Sequence, residues 1–188
     1  MFKKNKEIFL NILDLDDTIL YPSPYRLLSR ITDNIDEQHK IAQTDEFRAL
    51  LEFGNLAPWI QTKSGQELLK KAFNIIVTGR HTYNSESTVK FIARNGLRID
   101  EIHYVPFESS ETYISEKIRF IDDYIEKFVQ QNNSKKIEIR VFDDNDKILL
   151  HFYQNRVKYD NCNIETILIS DGELTIFPTL CYFAIDLF

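Results

Sequence analysis

The chain has 188 residues, 43% of them hydrophobic and 28% charged, which is enough to bury one sizeable core and too apolar for a disordered segment. Its net charge of −6 weighs against a protein that grips nucleic acid through a basic surface. The two cysteines, Cys162 and Cys181, offer no disulfide framework and fit a reducing compartment; neither has an arginine six positions later, so a cysteine-nucleophile phosphate loop is excluded.

Ile8 to Leu13 is an apolar run of strand length, and the chain then turns sharply polar at Asp14. That turn comes too early for a signal peptide, and no stretch approaches a membrane span, so a cytoplasmic location is expected. Tyr21-Pro22-Ser23-Pro24-Tyr25 reads as a rigid extended connector, because each proline fixes its own φ and restricts its predecessor. From Arg26 to Ala57 the pattern is loosely helical, with Thr32 to Thr44 polar and exposed. Pro58-Trp59-Ile60 is an apolar knot holding the one tryptophan. Ser64, with Glu67 three residues on, has capping-box spacing for a helix to Phe73.

Asn74 to Thr78 is a second buried strand, followed at once by Gly79-Arg80. Ser85 or Ser87 caps a helix that Gly96 ends. Ile99 to Phe107 reads as a strand, and Thr112 to Gln131 as the longest helix, striped by Ile114, Ile118, Ile121, Ile125 and Phe128. Lys135 to Phe142 is a strand ending in Asp143-Asp144, and Asp146 to Lys158 is a helix. Asp171-Gly172 between Ile164–Ser170 and Glu173–Phe177 marks a C-terminal β-hairpin. The tail from Leu180 to Phe188 is strongly apolar; it either packs as a last element or meets a further domain or partner of a longer protein.

Strands alternating with helices imply a central parallel sheet covered on both faces, in which ligands bind at the carboxyl ends of strands. Asp14/Asp16, Thr78 and Asp143/Asp144 all fall at such ends. Carboxylates beside a buried strand are normally paired or coordinate a metal, so this edge reads as a divalent-metal and phosphate site. Each piece alone has a plainer reading: a capped turn at Asp14 to Thr18, a good strand residue at Thr78, a solvated helix lysine at Lys117, and an exposed turn at Asp143 to Asp146.

The order Asp14-Leu15-Asp16-Asp17-Thr18, then Val77-Thr78-Gly79-Arg80, then Lys117, then Asp143-Asp144, resembles the four motifs of the haloacid dehalogenase (HAD) superfamily of aspartate-nucleophile phosphatases over about residues 8–155. The resemblance implies a three-layer α/β/α Rossmann-like fold with a small helical flap at about 21–60, in a single domain spanning 1–188. It makes Asp14 the nucleophile and Asp16 the general acid and base, with no catalytic role for Asp17 and a loop-stabilising role for Thr18. Thr78, Gly79 and Lys117 would bind the phosphoryl group; Arg80 would contact substrate or lie on the surface, and Arg119 competes with Lys117. Mg²⁺ would be held by Asp14, the Asp16 carbonyl and Asp143 or Asp144, with Asp146 a further candidate. Leu20 to Tyr25, Trp59, Lys117 and His151-Phe152 resemble, more narrowly, the Swiss-army-knife RNA-repair-like branch. The single Trp and Asn145 depart from that branch and weigh against its nucleic-acid substrate.

Without room for a full cap domain, the site suits a phosphate on a macromolecule. A phosphoprotein, phosphotyrosine in particular, is favoured over an RNA or DNA terminal phosphate. Tyr21, Tyr25 and Trp59 could stack on a base or a phenyl ring, or lie in the core. A small-metabolite phosphatase and a catalytically silent binding module are the competing readings.

Overall fold

The computed structural model describes residues 7–105, 110–158 and 161–177. Six strands form one sheet: β1 (Ile8–Leu13), β2 (Phe73–Thr78), β3 (Glu101–Tyr104), β4 (Ile137–Asp143), β5 (Cys162–Ser170) and β6 (Glu173–Phe177), in the spatial order β3-β2-β1-β4-β5-β6. The first five run parallel and β6 is antiparallel to β5. The β5–β6 turn is the expected Asp171-Gly172 pair, both at positive φ (50° and 78°), the geometry a two-residue hairpin needs.

Alternate residues along each strand feed two cores. Leu10, Ile12, Ile75, Val77, Ile139 and Val141 face α7 (Ser110–Gln131) and α8 (Asp146–Gln154). Leu13, Ile76, Phe142 and Ile167 face Trp59 and Ile60 of α4 (Pro58–Gln61), Leu69 of α5 (Lys63–Lys70), and Phe91 and Ile92 of α6 (Ser85–Arg94). The fold is therefore the expected three-layer α/β/α sandwich. Two buried asparagines lie side by side in the β1–β2 ladder, where Asn11 Nδ2 donates to Asn74 Oδ1 at 2.8 Å. A one-residue slip would break that bond and turn the strand faces over, so the pair helps fix the register.

Between β1 and β2 the chain builds α1 (Tyr25–Ile31), α2 (Ile35–Ala42) and α3 (Asp45–Glu52) around a small core of Leu28, Ala42, Phe47 and Leu51. The polar stretch 32–44 is thus a capped helix as well as a largely exposed one: Asn34 Oδ1 accepts from Glu37 N, and Ala42 is buried. Other boundaries also shift. Thr62 rather than Ser64 caps α5, because its Oγ1 accepts from Gly65 N at 3.0 Å and leaves Ser64 inside the first turn. Neither Ser85 nor Ser87 caps α6, since a 3₁₀ turn, Thr82–Asn84, feeds the helix directly. Strand β3 is shorter than predicted, and α8 ends at Gln154. The proposed exit at Pro106-Phe107 and the apolar tail lie outside the described residues. Among the described residues no helix is long and apolar enough to cross a membrane.

Candidate active site

Strands β2, β1 and β4 are neighbours, and their carboxyl ends carry Thr78, Asp14 and Asp143. Asp14 N donates to Phe142 O at 2.9 Å, which continues the β1–β4 ladder and fixes Asp14 beside the end of β4. The ammonium of Lys117 stands 2.6 Å from Asp14 Oδ1 and 2.8 Å from Asp143 Oδ2, and all three side chains are buried. One cation thus gathers two carboxylates from adjacent strands.

Lys117 lies in the middle of the inner face of α7. Lys117, Ile121, Ile125 and Val129 are its buried line, with Ile114, Ile118 and Phe128 flanking. Arg119, the sequence competitor, is exposed and pairs with Glu116.

The site is rich in negative charge. Burial raises the Asp14 carboxyl well above its usual range; Lys117 opposes this, and Asp143, Asp144 and Asp16 add to it. Burial alone would lower the Lys117 ammonium, but Asp14 and Asp143 outweigh it and hold the ammonium well above its usual value. Asp144 is exposed by area yet stands at the cleft. Desolvation first, then the Asp143 charge, lift its pKa to about 7, with Lys117 opposing the rise. Asp146 opens α8 at the exposed surface, away from the cleft.

Arg80 is neither a surface arginine nor open to the cleft as a free donor. Its side chain is buried and forks onto Asp16, with Nε 2.7 Å from Oδ2 and the second terminal nitrogen 2.8 Å from Oδ1. Its remaining nitrogen donates to Thr88 Oγ1 at 3.0 Å, and the Tyr25 ring lies 5.7 Å from its centre. Ser23 Oγ donates to Asp16 Oδ1 as well. Asp17, given no catalytic role, ties the loop to the insert. It sits at φ 61°, a conformation aspartate tolerates, while its carboxylate accepts from Ser23 N and Arg26 Nε at 2.8 and 2.6 Å. For Thr18 the backbone carbonyl does the holding, accepting from Trp59 Nε1 at 2.7 Å, and Trp59 stacks on Phe142 with ring centres 5.2 Å apart.

Thr78 is buried at the cleft floor. Gly79 is required by packing: a Cβ there would lie 2.6 Å from the Tyr113 ring. Tyr113 had no signal in the sequence beyond its place four residues before Lys117, and it forms a wall beside that lysine.

These groups share one cleft of about 390 Å³. Its floor is polar, and the insert supplies a wall from Tyr25, Leu28, His39 and Ala42. Across from it comes His81, whose Nε2 lies 3.2 Å from His39 Nε2 and whose ring stacks on Tyr83. Tyr25, one of the three aromatics expected near the entrance, lines the cleft, whereas Ser23, Arg26, His39 and His81 were not legible as site residues, because their roles depend on where the insert folds back. Tyr21 and Trp59 do not line the cleft, and Trp59 is core.

Among the described residues no three His, Cys, Asp or Glu side chains form a metal cluster by themselves. The donors present fit Mg²⁺ in its usual manner, through one or two carboxylates with water and substrate oxygens completing the octahedron. Asp14 and Asp143 are hard oxygen donors, and the excess of negative charge over the single Lys117 ammonium favours a further cation.

Fold and cleft together define a three-layer α/β protein with an acidic, lysine-bridged site at the carboxyl edge of its sheet. No protein-family model matches the chain, and no curated protein matches it. A solved structure similar to it is the HAD domain of the effector protein Lem4 from Legionella pneumophila, at 14% identity over 98% of this chain and 96% of that one, with a TM-score of 0.35.

Proposed function

We propose that this chain is a Mg²⁺-dependent phosphomonoesterase of the HAD type that works through an aspartyl-phosphate on Asp14. The observation that carries this reading is the buried Lys117 bridge between Asp14 and Asp143, at the ends of two adjacent parallel strands and beside Thr78 on a third. A lysine held there keeps Asp14 oriented and offsets the charge of an incoming phosphoryl group. Thr78, buried at the cleft floor, would donate its hydroxyl to a phosphoryl oxygen. Asp14 and Asp143, with the Asp16 carbonyl, would hold the metal and Asp144 would stand in its outer shell; the metal when bound supplies charge neutralisation at the phosphate. A silent binding module would not need a lysine buried between two carboxylates, an arrangement that is costly as a purely structural device.

The substrate reading is a phosphoprotein, phosphotyrosine first. The cleft walls are apolar and aromatic, from Tyr25, Leu28, Ala42 and Tyr113. The cations that line the cleft, Arg26, Arg80 and Lys117, are each paired with a carboxylate, which leaves little for a polyphosphate backbone. An assay with Mg²⁺ on phosphotyrosine and phosphoserine peptides, a 3′-phosphorylated oligonucleotide and a small sugar phosphate tests this. Turnover of the phosphotyrosine peptide, lost in Asp14→Asn and on chelation, is expected. Activity that survives either change would overturn the mechanism, and turnover of the oligonucleotide or the sugar phosphate alone would overturn the substrate class.

A further inference from the structure

Two of the four histidines, His103 and His151, set Nε2 against a carboxylate, Glu101 at 2.7 Å and Asp122 at 2.8 Å. His39 and His81 instead set their Nε2 atoms against each other at 3.2 Å, on the wall of the cleft. His39 belongs to α2 of the insert, whereas His81 follows the end of β2, next to Arg80. The His81 ring is steadied by Tyr83, on which it stacks with centres 5.0 Å and planes 7° apart. The two imidazoles cross at 78° with their centres 4.5 Å apart. An in-line N–H···N bond of this length would hold the centres about 5.5 Å apart, so the nitrogens do not meet head-on. Their separation is close to that of two ligands on one ion: nitrogens about 2.0–2.1 Å from a tetrahedral Zn²⁺ stand about 3.3–3.4 Å from each other. Burial and His39 lower the His81 pKa, which leaves the ring neutral, as a metal ligand must be.

We propose that His39 and His81 form a site for a transition-metal ion of the Zn²⁺ class, which fastens the insert to the body of the fold and obstructs the cleft. Donor chemistry separates this site from the cleft floor. Imidazole nitrogens suit Zn²⁺, Cu²⁺ and Ni²⁺, whereas the carboxylate oxygens of Asp14 and Asp143 suit Mg²⁺. Among the described residues no third His, Cys, Asp or Glu completes the set, so water or a ligand in the cleft fills the other positions and the ion is held reversibly. Tyr25 ties α1 to the body through Asn84 at 2.7 Å, and Glu52 ties α3 through Lys90 at 3.6 Å; an ion on His39 adds a tie from α2. Because both histidines line the cleft, an ion between them stands in the path to its floor. Zn²⁺ there is an inhibitor and not the catalytic ion. The inhibition rests on the phosphatase reading above; the binding of the ion does not.

The untagged full chain, held in excess Mg²⁺, is titrated with Cu²⁺ as a spectroscopic probe and with Zn²⁺ by calorimetry. Electron spin resonance should show one Cu²⁺ coupled to two imidazole nitrogens, a signature that the oxygen ligands of the floor cannot give. His39→Ala and His81→Ala should each leave at most one imidazole on the copper. Each should also weaken Zn²⁺ binding by about tenfold or more, since even an outer-shell partner of a ligand is worth that much. Hydrogen exchange along α2 should slow with Zn²⁺ in the parent and not in the variants. His39→Ala carries the test alone if the His81 variant fails to fold, because α2 lies outside the sheet. Copper bound by one imidazole or none, or by two imidazoles in the variants as in the parent, would overturn the site. For the obstruction, kcat/KM for phenyl phosphate should fall as Zn²⁺ is added and recover with a chelator that prefers zinc to magnesium. The fold-inhibition should be smaller in His39→Ala than in the parent. Equal inhibition in both would put the inhibitory Zn²⁺ at the floor and overturn the obstruction. No turnover in Mg²⁺ alone would overturn the phosphatase reading, and the obstruction with it, while the copper and calorimetry results still decide the site.

Discussion

Lys117 and Asp14, 103 residues apart in the chain, meet at 2.6 Å at the carboxyl edge of the sheet. Neither is tolerable there alone. The lysine must be charged to satisfy Asp14 and Asp143, and the two carboxylates must share it.

Replacing Lys117 with Met should therefore cost more than activity. It leaves two buried carboxylates without their counter-charge, a loss of about 3–5 kcal/mol for a broken buried pair. Urea unfolding should show the lower midpoint with an unchanged slope, and phosphatase turnover should vanish. A Lys117→Met variant as stable as the parent would mean that the carboxylates do not depend on Lys117 as their counter-charge.

Asp14→Asn should have the opposite effect on stability. The folded-state pKa of Asp14 lies above its usual 3.8, so between about pH 4 and that folded value the native state binds more protons than the unfolded chain. Stability from this group then falls as pH rises from about 4 through the folded pKa. The amide removes that slope, so the variant should be inactive yet more stable than the parent at pH 7 without divalent metal. Mg²⁺ at a hundred times its Kd should stabilise the parent by about 2.7 kcal/mol and the variant far less. Thermal melts across pH, with Mg²⁺ or with chelator, check both.

Gly79→Ala should disturb the site without touching a charge. Its Cβ would overlap the Tyr113 ring, and overpacking of this kind costs about 1–3 kcal/mol. The displaced ring should drag on Lys117, lowering kcat more than it raises KM. Adding Tyr113→Leu should restore part of the stability. If the double variant is no better than the single, the overlap is not the cause.

His81 is held neutral by burial and by its neighbour His39, which lower its pKa from the usual 6.5. The native state thus resists a proton that the unfolded chain accepts. Stability from this residue is present above pH 6.5 and is lost as pH falls through the folded pKa. His81→Gln should flatten stability measured by urea between about pH 7 and 5. Identical slopes in parent and variant would show that the pair carries no such coupling.

Trp59 links the catalytic loop to the sheet through its bond to Thr18 O and its stack on Phe142. Trp59→Ala should cost about 3–5 kcal/mol, as large-to-small changes in a core do. Trp59→Phe should cost less while still loosening the 14–18 loop, read by circular dichroism melts and by a lower kcat.

Much of the architecture was legible because it repeats locally. A run such as Ile8 to Leu13 or Asn74 to Thr78 has one place to go, the middle of a parallel sheet, and Asp171-Gly172 can adopt positive φ at both positions. Helix starts were less legible. Thr62 and Ser64 are chemically alike, and only the extended backbone at Thr62 (φ −74°, ψ 154°) makes it the cap.

The sequence by itself determined where the carboxylates would stand: polar residues placed just after buried strands must emerge at one edge of the sheet. That is why Asp14, Thr78 and Asp143 fall at one edge of the sheet by their positions in the chain alone. What only the tertiary structure decided is who holds whom. Arg80 could have faced solvent or substrate, yet the fold brings it 64 positions back to Asp16, and the same return of the insert sets Ser23 on that carboxylate and His39 against His81. Local periodicity reports burial and direction along one element. Pairing between elements depends on crossing geometry, loop length and the cost of leaving a buried charge alone, and those terms appear only once the whole chain has packed.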